Sequence, residues 1–437
     1  MRSAVRTAIV EQTRTLPLRV WQGSTVALMV TGYAGYYLCR SDFAVALPLL
    51  IQDMAARGIP AAESTTRLGT IASLGVLAYA IGKFPSGTLA DFLGGRRNYL
   101  LGMAGSVLFT LLFAISGGIP MFTLAWIGNR GVQSLGWAGM VKITSKWFSY
   151  SVYGTVMGII SLSFLFGDAA SRQFMAVLIA HGFGWRGVFF SAAAVLGAIL
   201  LLNLLVIRES PRYLNLPESP VSPENLFQES EEHTRLVPLL MTFARSSTFR
   251  VVCVLSLGLT LVREAFNLWT PVYFTQAIGL SNADAASKSA LFPLFGGISV
   301  LLSGFLSDRL GRSGRAAIIL FGTLLSGAAL LVLGHVRFEG GSAWPVALVA
   351  LIAFLIIGPY AYLAGAIALD FGGKQGSGTA SGLIDGIGYL GGVLAGDSMA
   401  RIMLSWGWQG MFTVLAGVAW LSSLAALIYF SSQRKRL

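Results

Sequence analysis

Gly87-Thr88-Leu89-Ala90-Asp91, followed by Gly94, Gly95, Arg96 and Arg97, is written a second time. The second copy is Gly304-Phe305-Leu306-Ser307-Asp308, followed by Arg309, Gly311, Arg312 and Arg315. Each copy ends an apolar run, and the two aspartates stand almost half of the 437 residues apart. Arg40 and Arg263 echo one another at a similar interval, each inside an apolar stretch. Two equal halves that carry the same features in the same order imply an internal duplication. In a membrane chain this means two bundles with a binding site at their interface.

Composition says that the chain is such a protein. Hydrophobic residues make up 55% and charged residues only 11%, too few charges to cover a soluble surface of this size. The net charge of +12 would suit nucleic acid, but most Lys and Arg residues fall in short connectors on one side. That is the distribution of the positive-inside rule, and no nucleic-acid partner is expected. Cys39 and Cys253 both lie in apolar segments, so neither a disulfide framework nor a metal site is suggested. The three histidines, His181, His233 and His335, fall at loops or helix ends without a nucleophile–base grouping. Neither an enzyme nor a cofactor is expected.

The expected organisation is a basic arm over 1–23, a six-helix bundle over 24–207, a polar linker over 208–249, a second six-helix bundle over 250–431 and a basic tail over 432–437. Apolar stretches at 24–50, 67–92, 99–118, 120–146, 152–181 and 185–207 make the first bundle. Those at 250–277, 286–308, 315–335, 344–370, 376–403 and 407–431 make the second. Each is near or above the roughly 20 residues that span a bilayer. The linker carries Pro211, Pro217, Pro220, Pro223 and Pro238 among glutamates and reads as irregular. Arg96, Arg97, Lys142, Lys146, Arg208, Arg309, Arg312, Lys374 and the tail lie on one side, so both termini are expected to be cytoplasmic. The predicted fold is all-α, with twelve transmembrane helices in two pseudo-symmetric bundles.

The repeated motif would sit at the cytoplasmic ends of helices two and eight. There Gly87 and Gly304 would permit close helix approach. Asp91 and Asp308 would accept hydrogen bonds from neighbouring amides, while Arg96, Arg97, Arg309 and Arg312 would meet headgroups or facing carboxylates. Such a latch holds one conformation and breaks in another. These stretches resemble the signature loop of the major facilitator superfamily, and Arg130-Gly131-Val132-Gln133-x-x-Gly136 resembles its helix-four motif. The resemblance covers the whole chain and implies alternating access by two rocking bundles, in a monomer.

Ionisable groups in hydrocarbon cost at least about 2.5–3.5 kcal/mol, so each needs a reason. The apolar helices hold Arg40, Asp42, Lys83, Arg130, Asp168, Arg172, Arg263, Glu264, Asp370, Asp385, Asp397 and Arg401. Arg40 and Arg263 lie at similar depths in helices one and seven, which are equivalents in the two repeats. Related by the pseudo-two-fold axis, they would face one cavity from opposite sides. Two guanidinium forks suit a tetrahedral dianion such as phosphate. The competing reading pairs Arg40 with Asp42 and Arg263 with Glu264, but adjacent residues on a helix do not face each other. Asp168 and Arg172 are spaced i,i+4 as a structural ion pair, and Asp397 and Arg401 repeat the spacing. Asp385 has no partner visible in the sequence; Arg130, Arg172, a substrate or a proton are the options.

Gly32-Tyr33-Ala34-Gly35-Tyr36-Tyr37-Leu38-Cys39-Arg40-Ser41-Asp42-Phe43 looks like the first helix of the organophosphate:phosphate antiporters. Leu261 through Tyr273 looks like their seventh, and Gly82-Lys83-Phe84, Gly136-Trp137 and Gly388-Tyr389-Leu390-Gly391-Gly392 also match. The resemblance implies that Arg40 and Arg263 bind phosphate and that Lys83 adds positive charge. Of the aromatics Tyr36, Tyr37, Phe266, Trp269, Tyr273, Tyr360, Tyr362 and Tyr389, the three that join the expected site are Tyr36, Trp269 and Tyr389, from matching segments. The sequence departs from the glycerol-3-phosphate carriers in helix five, where their histidine is absent and Phe164 stands in its place. The Asp397/Arg401 pair loosely resembles one in the hexose-phosphate carriers.

The leading expectation is exchange of an organic phosphate ester (a sugar phosphate, glycerol phosphate or phosphoglycerate) for inorganic phosphate. One alternative is a proton-coupled organic-anion symporter with Glu264, Asp168 or Asp385 as proton carrier. The other is a transporter-like membrane sensor of sugar phosphate.

Overall fold

The computed structural model describes the backbone of residues 2–148, 150–217, 241, 243–336 and 342–434. It describes their side chains except at 2–16, 87–88, 91–92, 145, 150–155, 307–313, 365–366, 369–370, 372–379, 381 and 434. Among these residues the chain is helical almost throughout. In the apolar interior of a membrane protein every backbone N–H and C=O must find a partner, and the helix supplies it within each segment.

Helix one is Arg2–Ala56, so the basic arm and the first crossing form one rod. Helix two is Ala61–Leu93 and helix three Gly95–Ile115. Helix four runs as Ile119–Gln133 and Leu135–Trp147, broken at Ser134. Helix five is Tyr150–Ala180 and helix six Trp185–Val206. After the linker, helix seven is Ser247–Gln276. Helices eight and nine share Asn282–Ser289 and Leu291–His335, with apolar crossings at Asn282–Leu306 and Gly314–His335. Helix ten is Trp344–Tyr362, helix eleven Ala368–Leu394, and helix twelve lies within Asp397–Arg434.

Nine segments of the described residues are long and apolar enough to cross a membrane. One of them, Gly382–Gln433, contains two crossings: the first is interrupted at Ala395-Gly396, and the chain breaks between the two at Gly407, whose φ of +68° is a left-handed value that suits glycine. Two further crossings fall outside that set. Helix one is diluted by Arg40, Asp42 and its tyrosines, and helix four is split into pieces shorter than a bilayer. Twelve crossings result, six before the linker and six after.

The crossing expected over 376–403 is interrupted at Ala395-Gly396, and the chain leaves helical geometry at Gly407, between it and the crossing expected over 407–431. Two expectations need correction here. The predicted break between helices ten and eleven is absent: a π-helical turn, Leu363–Ile367, joins them, and the backbone stays helical through Phe371-Gly372-Gly373. Such wide turns leave the regular hydrogen-bond ladder and cluster at functional sites. The expected close approach at Gly304 is also absent among the described residues, none of which stands within 4 Å of where its Cβ would be.

The two halves meet tightly at the end away from the termini. A Cβ on Gly396 would come within 2.3 Å of the Gly69 carbonyl oxygen, so helix two touches the interruption in helix eleven backbone to backbone. Ser73 Oγ donates to the Val393 carbonyl at 2.5 Å and accepts from the Asp397 amide at 3.0 Å. Gln173 and Ser287 exchange two hydrogen bonds between helices five and eight.

Candidate functional site

Between the halves lies a cavity of about 520 Å³, lined from helices one, two, four and five on one side and seven, eight, ten and eleven on the other. Arg40 and Arg263 both line it, one from each half. Tyr37 and Tyr79 carry the Arg40 guanidinium carbon at 5.2 and 4.6 Å from their ring centroids. Tyr360 and Tyr389 carry that of Arg263 at 4.2 and 5.7 Å. A ring face attracts a cation without neutralising it, contributing about 0.5–2 kcal/mol per contact depending on desolvation. The rings thus hold both guanidiniums in place without offsetting their charge.

Helical spacing explains how the aromatic lining arises. Tyr33, Tyr37 and Arg40 follow one another at i, i+4 and i+7 and so share a face of helix one. Tyr79 and Lys83 do the same on helix two, with the ammonium 5.2 Å from the Tyr79 centroid and 5.1 Å from that of Tyr389. Tyr36 sits one position off this face. Its hydroxyl donates to the Tyr99 carbonyl at 2.7 Å, so it packs inside the first bundle and does not line the cavity. Trp269 is likewise absent from the lining: its indole N–H donates to the Ala395 carbonyl at 2.8 Å, and its ring joins Phe266, Tyr273, Trp408 and Phe412 elsewhere. Tyr362 is buried with its hydroxyl on the Ser303 carbonyl. Phe164 does line the cavity, stacked 6.4 Å from Tyr37.

Among the described residues three carboxylates face the cavity, each bound to a cation. Asp385 meets Lys83 at 2.7 Å across the interface between halves and accepts the Tyr360 hydroxyl at 3.0 Å. The charge that Lys83 brings is therefore already offset. Asp168 meets Arg172 at 3.0 Å and accepts the Ser41 hydroxyl. Arg172 also donates to Ser289 Oγ at 3.1 Å and the Asn267 carbonyl at 3.2 Å, so this pair bridges the halves. Glu264 meets Arg263 at 2.7 Å, contrary to the expectation that neighbours on a helix cannot pair. The guanidinium is long enough to fold back over one residue once the cavity walls confine both groups. Arg40, by contrast, does not pair with Asp42, which is fully buried and accepts from the Phe43 amide at 2.7 Å.

Asp397 and Arg401 pair at 2.8 Å away from the cavity, at the closed end, where Thr70 Oγ1 donates to Asp397 at 2.7 Å. Their place is a brace between halves. Of the repeated motif, Gly87, Asp91, Asp308, Arg309 and Arg312 lie outside the residues with described side chains. Arg97 is exposed. Arg96 departs from the expected latch: its Nε and Nη2 donate to the Ile207 and Leu204 carbonyls at 2.7 and 2.8 Å. It therefore caps the end of helix six within one bundle, where free carbonyls need donors. Glu209, which the sequence reading passed over, accepts from the Gly95 and Arg96 amides and from Lys146 at 3.0, 2.6 and 2.6 Å. Burial pushes its carboxyl up, but these donors outweigh burial and hold it below the ordinary value.

Comparison with known proteins identifies the family. The Major Facilitator Superfamily profile matches residues 29–396. A probable hexose phosphate transport protein of Chlamydia muridarum is 28% identical over 431 residues, covering 94% of this chain and 91% of the relative. The glycerol-3-phosphate transporter of Bacillus subtilis is 28% identical over 415 residues, covering 92% and 89%. Among solved structures, a bacterial homologue of the human lysosomal transporter Spinster, inward-facing and unoccupied, superposes with a TM-score of 0.74 at 15% identity, over 95% of this chain and 97% of that one. This is a multi-pass integral membrane protein, and with a profile match across most of its length the chain belongs to the Major Facilitator Superfamily.

Proposed function

We propose that the protein exchanges an organic phosphate ester for inorganic phosphate by alternating access, with both termini in the cytoplasm. The observation that carries this reading is the placement of Arg40 and Arg263 on opposite halves of one cavity, each held by tyrosine rings. Similarity to hexose phosphate and glycerol-3-phosphate transporters supports the phosphoryl group as the common ligand. Arg40 and Arg263 clamp the phosphoryl oxygens from the two sides. Arg263 Nε is buried and has no hydrogen-bond partner, so it remains available while Nη2 holds Glu264.

Glu264 changes how the empty carrier behaves. It supplies Arg263 with an internal counter-charge, leaving Arg40 as the half of the clamp without one. Bringing Arg40 toward the other half with no anion between raises the barrier to switching, because like charges repel strongly where water is excluded. Bound phosphate or ester removes that repulsion, so exchange is favoured over leak.

The test is Arg40→Lys and Arg263→Lys in proteoliposomes preloaded with phosphate. A point charge cannot replace a planar fork. Each variant is expected to lose about 100-fold or more of phosphate exchange while eluting as folded protein. Wild-type exchange rates in either variant would sink the clamp.

A further inference from the structure

Five cations line the cavity: Arg40, Lys83, Arg130, Arg172 and Arg263. Its three lining carboxylates are taken by Lys83, Arg172 and Arg263. Among the described residues, Arg40 and Arg130 make no ion pair, so two positive charges remain in excess. Both sit against the same ring, with guanidinium carbons 4.6 and 4.8 Å from the Tyr79 centroid. Their separation is bounded by the sum of those lengths, within the span of one small ligand.

Arg130 is built into this position. It is 3% exposed, and its Nη1 is buried without a hydrogen-bond partner. Its stem occupies space that Gly75 leaves open: a Cβ there would stand 3.0 Å from Arg130 Cγ. On either side of it, Asn129 and Gln133 donate through their amide nitrogens to the Cys39 carbonyl at 2.8 and 2.9 Å. Those two bonds fix helix four to helix one at the peptide preceding Arg40, so the register between Arg130 and Arg40 is rigid. A buried guanidinium with an unsatisfied donor costs several kcal/mol unless something occupies it.

We propose that Arg130 is a third anion-binding arginine of the cavity, and that with Arg40 it sets the cavity to a doubly charged phosphoryl head over a singly charged one. A dianion offsets both excess charges, whereas a monoanion leaves one bare. The identity of the ligand rests on the antiport reading; the existence of the site does not. The charged and titratable groups facing Arg130 are Arg40 and Asp42 from helix one, Tyr79 from helix two, Glu264 from helix seven and Tyr389 from helix eleven. Asp42 does not line the cavity.

The experiment measures equilibrium binding of inorganic phosphate and of sulfate to the purified full chain between about pH 6 and about pH 8, by calorimetry. Wild type, Arg130→Gln and Arg130→Lys are compared. Phosphate gains its second charge near neutrality, while sulfate is divalent throughout. In the wild type, phosphate binding is expected to tighten as pH rises and sulfate binding to stay level. Arg130→Gln is expected to bind the divalent anions about tenfold or more weakly and to lose the pH preference for phosphate. Arg130→Lys, which keeps the charge, retains the preference and controls for folding. Wild-type affinity and pH profile in Arg130→Gln would overturn the assignment. So would a sulfate profile that follows that of phosphate, since a protein group would then be titrating. Absence of phosphate and sulfate binding in the wild type would overturn it as well. Binding that behaves as expected without exchange in liposomes would instead fail the antiport reading and leave Arg130 standing.

Discussion

At the scale of the residue, cations outnumber carboxylates in a space walled by tyrosines. Lys83 and Asp385 show how such a site balances charge: half-buried, 2.7 Å apart, on opposite halves. Removing one partner leaves the other facing low dielectric. Asp385→Asn is expected to slow turnover, and a double-mutant cycle with Lys83→Met to give a coupling of about 1 kcal/mol, between the surface and buried limits. Additive single-mutant effects would mean that the pair is incidental. Residues of this kind were only partly legible in the sequence. Arg40 and Arg263 stood out because charge in an apolar run is conspicuous. Tyr33 and Tyr37 line the cavity in place of Tyr36, because one step along a helix turns a side chain by about 100° and the run Tyr36-Tyr37 hides which of the two faces inward. The partner of Asp385 was invisible, since no local pattern links residues on helices two and eleven.

At the scale of the element, two junctions carry the mechanics. The first is the backbone contact between Gly69 and Gly396, reinforced by Ser73, Thr70 and Asp397. Gly69→Leu is expected to pry this end open. Cysteine probes in the cavity, added from the side opposite the termini, should then label several-fold faster, because packed interfaces switch rather than deform. Unchanged labelling would show that the contact does not hold the closed end. The second junction joins the start of helix three and the end of helix four to the end of helix six through Glu209, Arg96 and Lys146. Since the folded carboxyl of Glu209 lies below its ordinary value, its contribution is present above the unfolded value of about 4.3. It is lost as pH falls through the folded value. Wild-type melting temperature should therefore drop on acidification below that point, and Glu209→Gln should be less stable at neutral pH with a shallower acid limb. Parallel acid limbs would contradict this. The motif arginine Arg96 read as a latch in the sequence, yet it serves this junction, because the carbonyls at the end of helix six lie within its reach.

At the scale of the whole molecule, the duplication was readable: matched charges in matched runs gave two bundles and an interface between them. The course of helices ten and eleven was not. The gap between 370 and 376 reads as a break, but the backbone stays helical past a π-turn at Leu363–Ile367, and the interruption of helix eleven at Ala395-Gly396 has no polar stretch to announce it. Closed at one end and charged at its centre, the molecule has the form expected of a carrier that switches with its anion in place. The most direct test is efflux of radiolabelled phosphate from proteoliposomes, with and without external glucose-6-phosphate, glycerol-3-phosphate or 3-phosphoglycerate. The account expects efflux to require an external phosphate-bearing anion, to be driven by at least one of these esters, and to vanish in Arg40→Lys. Phosphate efflux that proceeds equally into anion-free medium, or uptake driven by a pH gradient with no internal phosphate, would contradict it.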